Sequence, residues 1–175
     1  MRANYFLFRN YLLAHPDIRR HNQRYDRETP TKASNLVLAK NIGLLIPKTV
    51  IGTSIDEDIA IVKPLTGGFN VALGSRAVYT AILQKRIFGA NKRLFIVGEK
   101  IFAYEIHSEK LDYREDKNVS ISKTIFEEKI LSHSKILAKT LGLTYAALDF
   151  VGDFFLEINS MPMFVAFDKI SQGQL

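Results

Sequence analysis

Apolar positions in this chain recur with two periods, and the switches between them mark out the elements. Tyr5 to Ala14 reads as a helix, followed by a polar, Arg-rich connection broken at Pro16 that runs to residue 28. The next helix has Ala33, Leu36 and Val37 as its apolar face, Thr29 as N-cap, Pro30 at its first position and Gly43 as its stop. After Pro47 the period shortens. Strands are predicted over Lys48–Ile51 and Ile59–Val62, separated by the polar turn Asp56–Asp58, and over Val78–Leu83. Between the last two lies the glycine-containing loop Leu65–Asn70. Arg93–Val97 and Lys100–Ile106 form a predicted hairpin around Gly98-Glu99, and the polar stretch 107–121 reads as loop. A long amphipathic helix is expected from Ser122 to Leu141. Thr124 and Glu127 have capping-box spacing, Gly142 is the stop, and Ile130, Leu131, Leu137 and Leu141 form the core stripe. Helices and strands mix without a regular βαβ repeat, which predicts an α+β fold.

The final hairpin, Ala147–Ser160, carries the most chemistry. Two short apolar strands meet at Gly152-Asp153, and each bears an acid, Asp149 and Glu157, with Asn159 two residues on. Charged side chains are rarely buried unless they are paired or bind a metal. Three oxygen-bearing side chains on one sheet face suit a hard cation such as Mg²⁺, itself usually shared with phosphate oxygens. Alternation puts residues 155, 157 and 159 on one face and Phe154, Leu156 and Ile158 on the other. A two-residue turn would pair Asp149 with Leu156, whereas a three-residue loop over Gly152–Phe154 would place Asp149 opposite Glu157. The metal reading therefore predicts the longer loop, with a positive φ at Gly152 or Asp153. A plain hairpin with both acids at its solvent edge fits the segment equally well.

Composition narrows the class. The 175 residues suffice for one domain with a sizeable core or for two small lobes. A hydrophobic fraction of 47% with 24% charged residues is ordinary for a globular protein, and no apolar run is long enough to cross a bilayer. No signal peptide is apparent, since Arg9 and Asn10 interrupt the first apolar stretch. The absence of cysteine excludes disulfides and Cys-based zinc sites and fits a reducing cytoplasm. The net charge of +6 would attract anions. Its densest cluster, Arg19–Arg24 followed by Arg27, reads as a solvated connection, and no nucleic-acid-binding motif accompanies it.

Two lysines bear on the hairpin. Lys63 ends an apolar strand just before Thr66-Gly67-Gly68, whose backbone amides can cradle a phosphate, although no P-loop spacing is present. Lys32 lies in a first helical turn, where a cation opposes the helix dipole unless an anion is bound there. Taken singly, each lysine reads as solvated. Their order is another matter: helix lysine, strand-end lysine, glycine loop, strand, then Asp…Glu-x-Asn on a last hairpin resembles the ATP-grasp superfamily. Lys32 to Thr49, Ile61 to Pro64, Thr66 to Asn70, Ile82 to Ile87, Arg93 to Ala103 and Leu156 to Pro162 look like its successive motifs. The resemblance covers roughly residues 29–170 and is most similar to RimK-like ligases and the ligases that make microviridin-type rings, which also carry a segment like Asp112-Tyr113-Arg114.

The resemblance implies an ATP-grasp fold of two small α+β lobes with ATP between them. Residues 1–28 would be an N-terminal helix and linker, 29–87 the first lobe and 88–175 the second. It implies an ATP-dependent carboxylate–amine or carboxylate–alcohol ligase working through an acyl phosphate, with ATP and Mg²⁺ as cofactors and a carboxylate-bearing, peptide-like substrate. Lys32, Lys63, Thr66, Gly67, Gly68, Gln84, Lys85 and Ile87 would bind ATP. Asp149, Glu157 and Asn159 would hold the metal, Arg93 with Lys63 would serve catalysis, and Arg114 with Asn159 would meet the substrate. A solvated strand arginine is the equal rival for Arg93. The chain departs from the pattern at Lys85, where a glutamate usually accepts hydrogen bonds from ribose, and at Asn91, where an aspartate often stands. The turn after Asp149 is shorter than usual. The N-terminal domain that normally precedes the grasp has no counterpart before Lys32, so a fragment of a larger ligase, a homo-oligomer or a partner-assembled form is expected. A non-catalytic nucleotide- or partner-binding module is the alternative; a kinase of the same fold and an RNA-binding protein are further rivals.

Overall fold

The computed structural model describes residues 30–173 apart from 59, 66–71, 112, 114 and 115, together with residues 10, 11, 14, 15, 17, 18, 21, 22, 24 and 25. Most of the helix expected over residues 5–14, the expected cap Thr29, the loop residues Thr66, Gly67 and Gly68, and Arg114 lie outside the described residues.

The first described helix, α1, spans Lys32–Ile42. Its N-cap is Thr31, not Thr29: the Thr31 hydroxyl accepts from the Ser34 amide at 3.1 Å, and the Ser34 hydroxyl accepts from the Thr31 amide at 2.9 Å. This reciprocal pair satisfies two amide donors and starts the helix two residues later than expected. Gly43 ends it at φ +107°, where a Cβ would lie 2.9 Å from the His133 ring. The buried face is Asn35, Leu36 and Ala39, while Val37, expected inside, is exposed.

Two antiparallel sheets follow. The first, in the order β1-β4-β2-β3, is built from β1 (Thr49–Ser54), β2 (Ala60–Lys63), β3 (Ala72–Leu73) and β4 (Arg76–Lys85). The second runs β7-β6-β5-β8-β9, with β5 Asn91–Val97, β6 Lys100–His107, β7 Ser120–Lys123, β8 Tyr145–Val151 and β9 Phe154–Asn159. Strand β7 occupies the end of the stretch expected to be loop, and its first pairs are His107 with Ser120 and Ile106 with Ile121. Because Ser120–Lys123 joins this sheet, the long helix cannot begin at Ser122. Helix α2 spans Glu128–Thr140, its N-cap is Glu127, and no side chain caps it.

The second sheet has two different faces. Leu94, Ile96, Leu148, Phe150, Phe155 and Ile158 pack with Leu36 and Ala39 of α1, Ile130 and Leu137 of α2 and its C-cap Leu141 in the main core. On the opposite face, Phe95, Tyr104, Ile106 and Ala147 form a smaller cluster with Phe167 of the last helix, α3 (Val165–Ser171). Arg93 and Asp149 share that second face through alternation along β5 and β8. Before α1, Asn22 corrects the reading of its cluster as solvated. It is buried, its amide nitrogen donates to the carbonyls of Tyr145 and Ser160 at 2.6 and 2.8 Å, and its amide oxygen accepts from the Thr144 and Tyr145 amides.

Candidate functional site

The β8–β9 hairpin brings its acids together by a device that sequence spacing did not suggest. Val151 pairs with Phe154, so the connection is the two-residue turn Gly152-Asp153 rather than the expected three-residue loop. Gly152 takes the positive φ, at +56°. The register then shifts between Asp149 and Phe150: Phe150 pairs with Phe155, Asp149 pairs with Glu157, and Leu156 is an extra residue. A bulge therefore does what the longer loop was expected to do. It also breaks the expected alternation. Phe155 packs into the main core, while Leu156 and Glu157 both face the cavity described below.

Asp149, Glu157 and Asn159 meet on one sheet face. The Asn159 amide nitrogen donates to Asp149 Oδ2 at 3.1 Å and to Glu157 Oε1 at 3.3 Å. Cations hold both acids. Arg93 Nε and Nη2 donate to the two Asp149 oxygens at 2.6 and 2.9 Å, a two-pronged grip that also fixes the carboxylate plane. Lys32, at the first position of α1, lies 3.2 Å from Glu157 Oε2, so this acid supplies the anion that a lysine at a helix N-terminus needs. Arg93 is not a solvated strand arginine. It is 8% exposed, and its guanidinium carbon lies 5.5 Å from the Phe167 ring, 5.6 Å from Tyr113 and 6.0 Å from Phe95.

These contacts set the charge states. Burial alone would lower the Arg93 pKa, but Asp149 outweighs it, so the guanidinium stays charged. Burial pushes the Asp149 carboxyl above its ordinary value; Arg93 pulls it back, and the negative Glu157 adds to the upward push. Burial would also raise Glu157, but Lys32 and then Lys63, with the Asn159 amide, hold it below its ordinary value. Lys63, at the end of β2 in the other sheet, therefore acts on the same acids.

Between the sheets lies a cavity of about 260 Å³. Lys32, Lys63, Arg93, Asp149 and Glu157 line it, as do Gln84, Lys85, Ile87 and Phe88, where the chain leaves β4 for β5. Gln84 is buried, with its amide nitrogen donating to the Thr49 hydroxyl at 3.1 Å. Lys85 reaches Glu57 at 3.2 Å, and Glu57 also holds Lys48 at 3.1 Å. Glu57 was missed in sequence because an acid in the polar turn Asp56–Asp58 carries no sign of what it faces. Phe167 carried no signal in the sequence, and Tyr113 stood out only as part of a motif. Neither revealed its contact with Arg93.

Two carboxylates and a side-chain amide on one face suit a hard divalent cation that completes its shell with phosphate oxygens. Among the described residues no group of three His, Cys, Asp or Glu side chains could hold a metal, so the amide and the ligand's own oxygens are needed. The Asn159 amide would present its oxygen after a half-turn, an orientation fixed only by its hydrogen-bond partners.

No family model matches this sequence, and no curated protein sequence matches it. Solved structures do resemble the fold. ATP-grasp ligase PsnB, complexed with a phosphomimetic variant of its minimal precursor, Mg and ADP, is 20% identical with a TM-score of 0.73 over 85% of this chain and 56% of that one. The macrocyclase MdnC from Microcystis aeruginosa MRC, bound with precursor peptide MdnA, is 22% identical with a TM-score of 0.61 over 86% and 59%. D-alanine–D-alanine ligase from Bacillus anthracis, complexed with ATP, is 15% identical with a TM-score of 0.64 over 87% and 62%. The chain thus spans little more than half the length of these proteins, and what it shares with them is the fold. Among the described residues no helix is long and apolar enough to cross a membrane.

Proposed function

We propose that this chain, which has the ATP-grasp fold, binds Mg²⁺-ATP between its sheets and catalyses, alone or as part of a longer protein, ADP-forming ligation of a carboxylate to an amine or alcohol. The carrying observation is the convergence of Lys32, Lys63 and Arg93 with Asp149 and Glu157 at one cavity, the two acids being joined by the Asn159 amide. Phosphate chemistry of this kind needs positioned cations, acids for a metal and little else.

In this reading Lys32 and Lys63 hold phosphate oxygens. Gly67 and Gly68 lend backbone donors and Thr66 its hydroxyl from the loop that follows Lys63. Gln84, Lys85 and Ile87 hold the nucleoside end against the apolar surfaces of Ile61 and Phe88. Asp149, Glu157 and Asn159 hold Mg²⁺, which supplies charge neutralisation across the phosphates. A substrate carboxylate oxygen attacks the γ-phosphorus and ADP leaves, giving an acyl phosphate. The nucleophile then attacks the acyl carbon, phosphate leaves, and the nucleophile's proton is lost. Arg93 stabilises the charge that develops on the transferring group; its aromatic surroundings and Asp149 fix its aim beforehand. Arg114 and Asn159 meet the substrate carboxylate. The PsnB and MdnC complexes with precursors support a peptide as the substrate class.

Product analysis tests the reaction. Incubation with ATP, Mg²⁺ and candidate peptides is expected to release ADP with loss of one water mass from the peptide pair or ring. A mass gain of one phosphate instead would identify a kinase, and nucleotide binding with no turnover would leave a binding module.

A further inference from the structure

The two acids of the site are held by cations that differ in how readily they can leave. Arg93 is buried, grips Asp149 with two nitrogens and is flanked by the Phe95, Tyr113 and Phe167 rings. A planar fork held in this way has little freedom to move off its carboxylate. Lys32 meets Glu157 at one oxygen, Oε2, at 3.2 Å, and the two side chains are 29% and 24% exposed. Its ammonium is a point charge on a flexible stem. A single-point pair this exposed is weak enough to exchange.

Both ends of that pair matter. Glu157 carries a donor on each oxygen, the Asn159 amide on Oε1 at 3.3 Å and Lys32 on Oε2. A divalent ion bound to Oε2 at about 2.1 Å would lie within about 5 Å of the Lys32 ammonium, and the two cations would repel. Lys32, in turn, is the first residue of α1, whose first turn holds no acid of its own. A cation there opposes the helix dipole. Lys32 therefore needs an anion from elsewhere, and Glu157 and a bound phosphate are alternatives for it.

Resting on the nucleotide reading above, we propose that Lys32 is a placeholder cation: it pairs with Glu157 and opposes a divalent ion there until a phosphate oxygen takes it, so that metal and nucleotide enter together. A metal alone leaves Lys32 without an anion. A nucleotide alone leaves Glu157 without its cation. The two together satisfy both groups, so the exchange generates positive coupling between them beyond what their own contact supplies. Arg93, which stays on Asp149, takes no part in the exchange.

The test compares the wild-type chain with Lys32→Met and with Lys92→Met, which removes an equal charge from another residue lining the cavity. Binding of Mn²⁺ alone, a hard divalent probe, is read from its electron paramagnetic resonance signal. Loss of a cation from a phosphate site would by itself weaken only nucleotide binding. Lys32→Met is instead expected to bind Mn²⁺ without nucleotide about five-fold or more tightly than wild type, and Lys92→Met within about two-fold of it. Calorimetry of ATP with and without Mg²⁺ reads the coupling, which should fall about five-fold or more in Lys32→Met. Lys32→Gln should give the same two results, which keeps the test decisive if Lys32→Met fails to fold. Unchanged or weaker Mn²⁺ binding on loss of Lys32, an equal gain in Lys92→Met, the mark of a general charge effect, or undiminished coupling would each overturn the proposal. The Mn²⁺ measurement contains no nucleotide, so failure of the wild type to bind ATP at all would overturn the nucleotide reading separately.

Discussion

Replacing Arg93 by Met probes the least exposed charge pair of the site. Arg93 is 8% exposed and grips both oxygens of Asp149. Met keeps much of the packing against Phe95, Tyr113 and Phe167 and removes only the fork and its charge. Asp149, its side chain 17% exposed, then loses the cation that grips it and keeps only the Asn159 amide and the field of Lys63, a defect that costs about 3–5 kcal/mol. For a chain of this size each kcal/mol moves the melting temperature by about 2–4 °C, so a fall of roughly 6–20 °C is expected. Three companion measurements separate this cause from loose packing. Adding Asp149→Asn to Arg93→Met removes the orphaned charge and should recover part of the loss. The deficit should also narrow in acid: burial raises the Asp149 carboxyl, and removing Arg93 takes away the first of the two cations that oppose it. A raised folded value gives stability that is present below the ordinary value and is lost as pH rises through the folded one. Finally, Mg²⁺ without nucleotide should stabilise Arg93→Met more than the wild type, since an ion at ten times its dissociation constant adds about 1.4 kcal/mol. Thermal unfolding followed by circular dichroism reads all of these. A variant that melts within about 2 °C of wild type, or one that Asp149→Asn does not rescue, would refute the reasoning.

Two further predictions concern the frame of the site. Asn22→Ala leaves the Thr144 and Tyr145 amides and the Tyr145 and Ser160 carbonyls without their partner, and should lower the melting temperature by roughly 4–12 °C, from about 2–3 kcal/mol of unsatisfied polar groups; no change would show that water replaces it. Asp116 is held below its ordinary value by the Ser108 hydroxyl, then by the Asn118 and Glu109 amides. The order it lends Ser108, Glu109 and Asn118 is therefore full above the ordinary carboxylate value and is lost as pH falls through the lowered folded value. Exchange of the Glu109 and Asn118 amides, corrected for intrinsic rates, should quicken over that acid range and be fast throughout in Asp116→Asn; protection unchanged by acid would contradict it.

Much of the architecture was legible because it is written in short-range chemistry. The hairpins at Gly98 and Gly152, the helix stop at Gly43 and the core stripe of α2 follow from turn residues and period alone. The order of Lys32, Lys63, Asp149, Glu157 and Asn159 suggested a shared site, and the structure brings the first four to one cavity, with the Asn159 amide donating to both acids. The errors arose where a long-range partner decides. Ser120–Lys123 is too polar to read as a strand and becomes one because β6 offers an edge. The bulge at Leu156 shows the same limit: turn chemistry at Gly152-Asp153 correctly asks for two residues, and the shift that aligns the acids occurs after Phe155, where burying Phe155 against Phe150 outweighs regular alternation. Asn22 and Glu57 look like surface residues in sequence, because what they hold is more than a hundred residues away in one case and across a sheet in the other.

The central claim is that Asp149, Glu157 and Asn159 hold a divalent ion against a nucleotide bound by Lys32 and Lys63. Titration calorimetry of ATP into the wild-type chain and into Glu157→Gln, each with and without Mg²⁺, tests it most directly. The account predicts that Mg²⁺ tightens ATP binding to the wild type by ten-fold or more, about 1.4 kcal/mol, and that Glu157→Gln loses this gain while still folding. Equal affinity with and without Mg²⁺ in the wild type, or a Glu157→Gln variant that keeps the full gain, would contradict it.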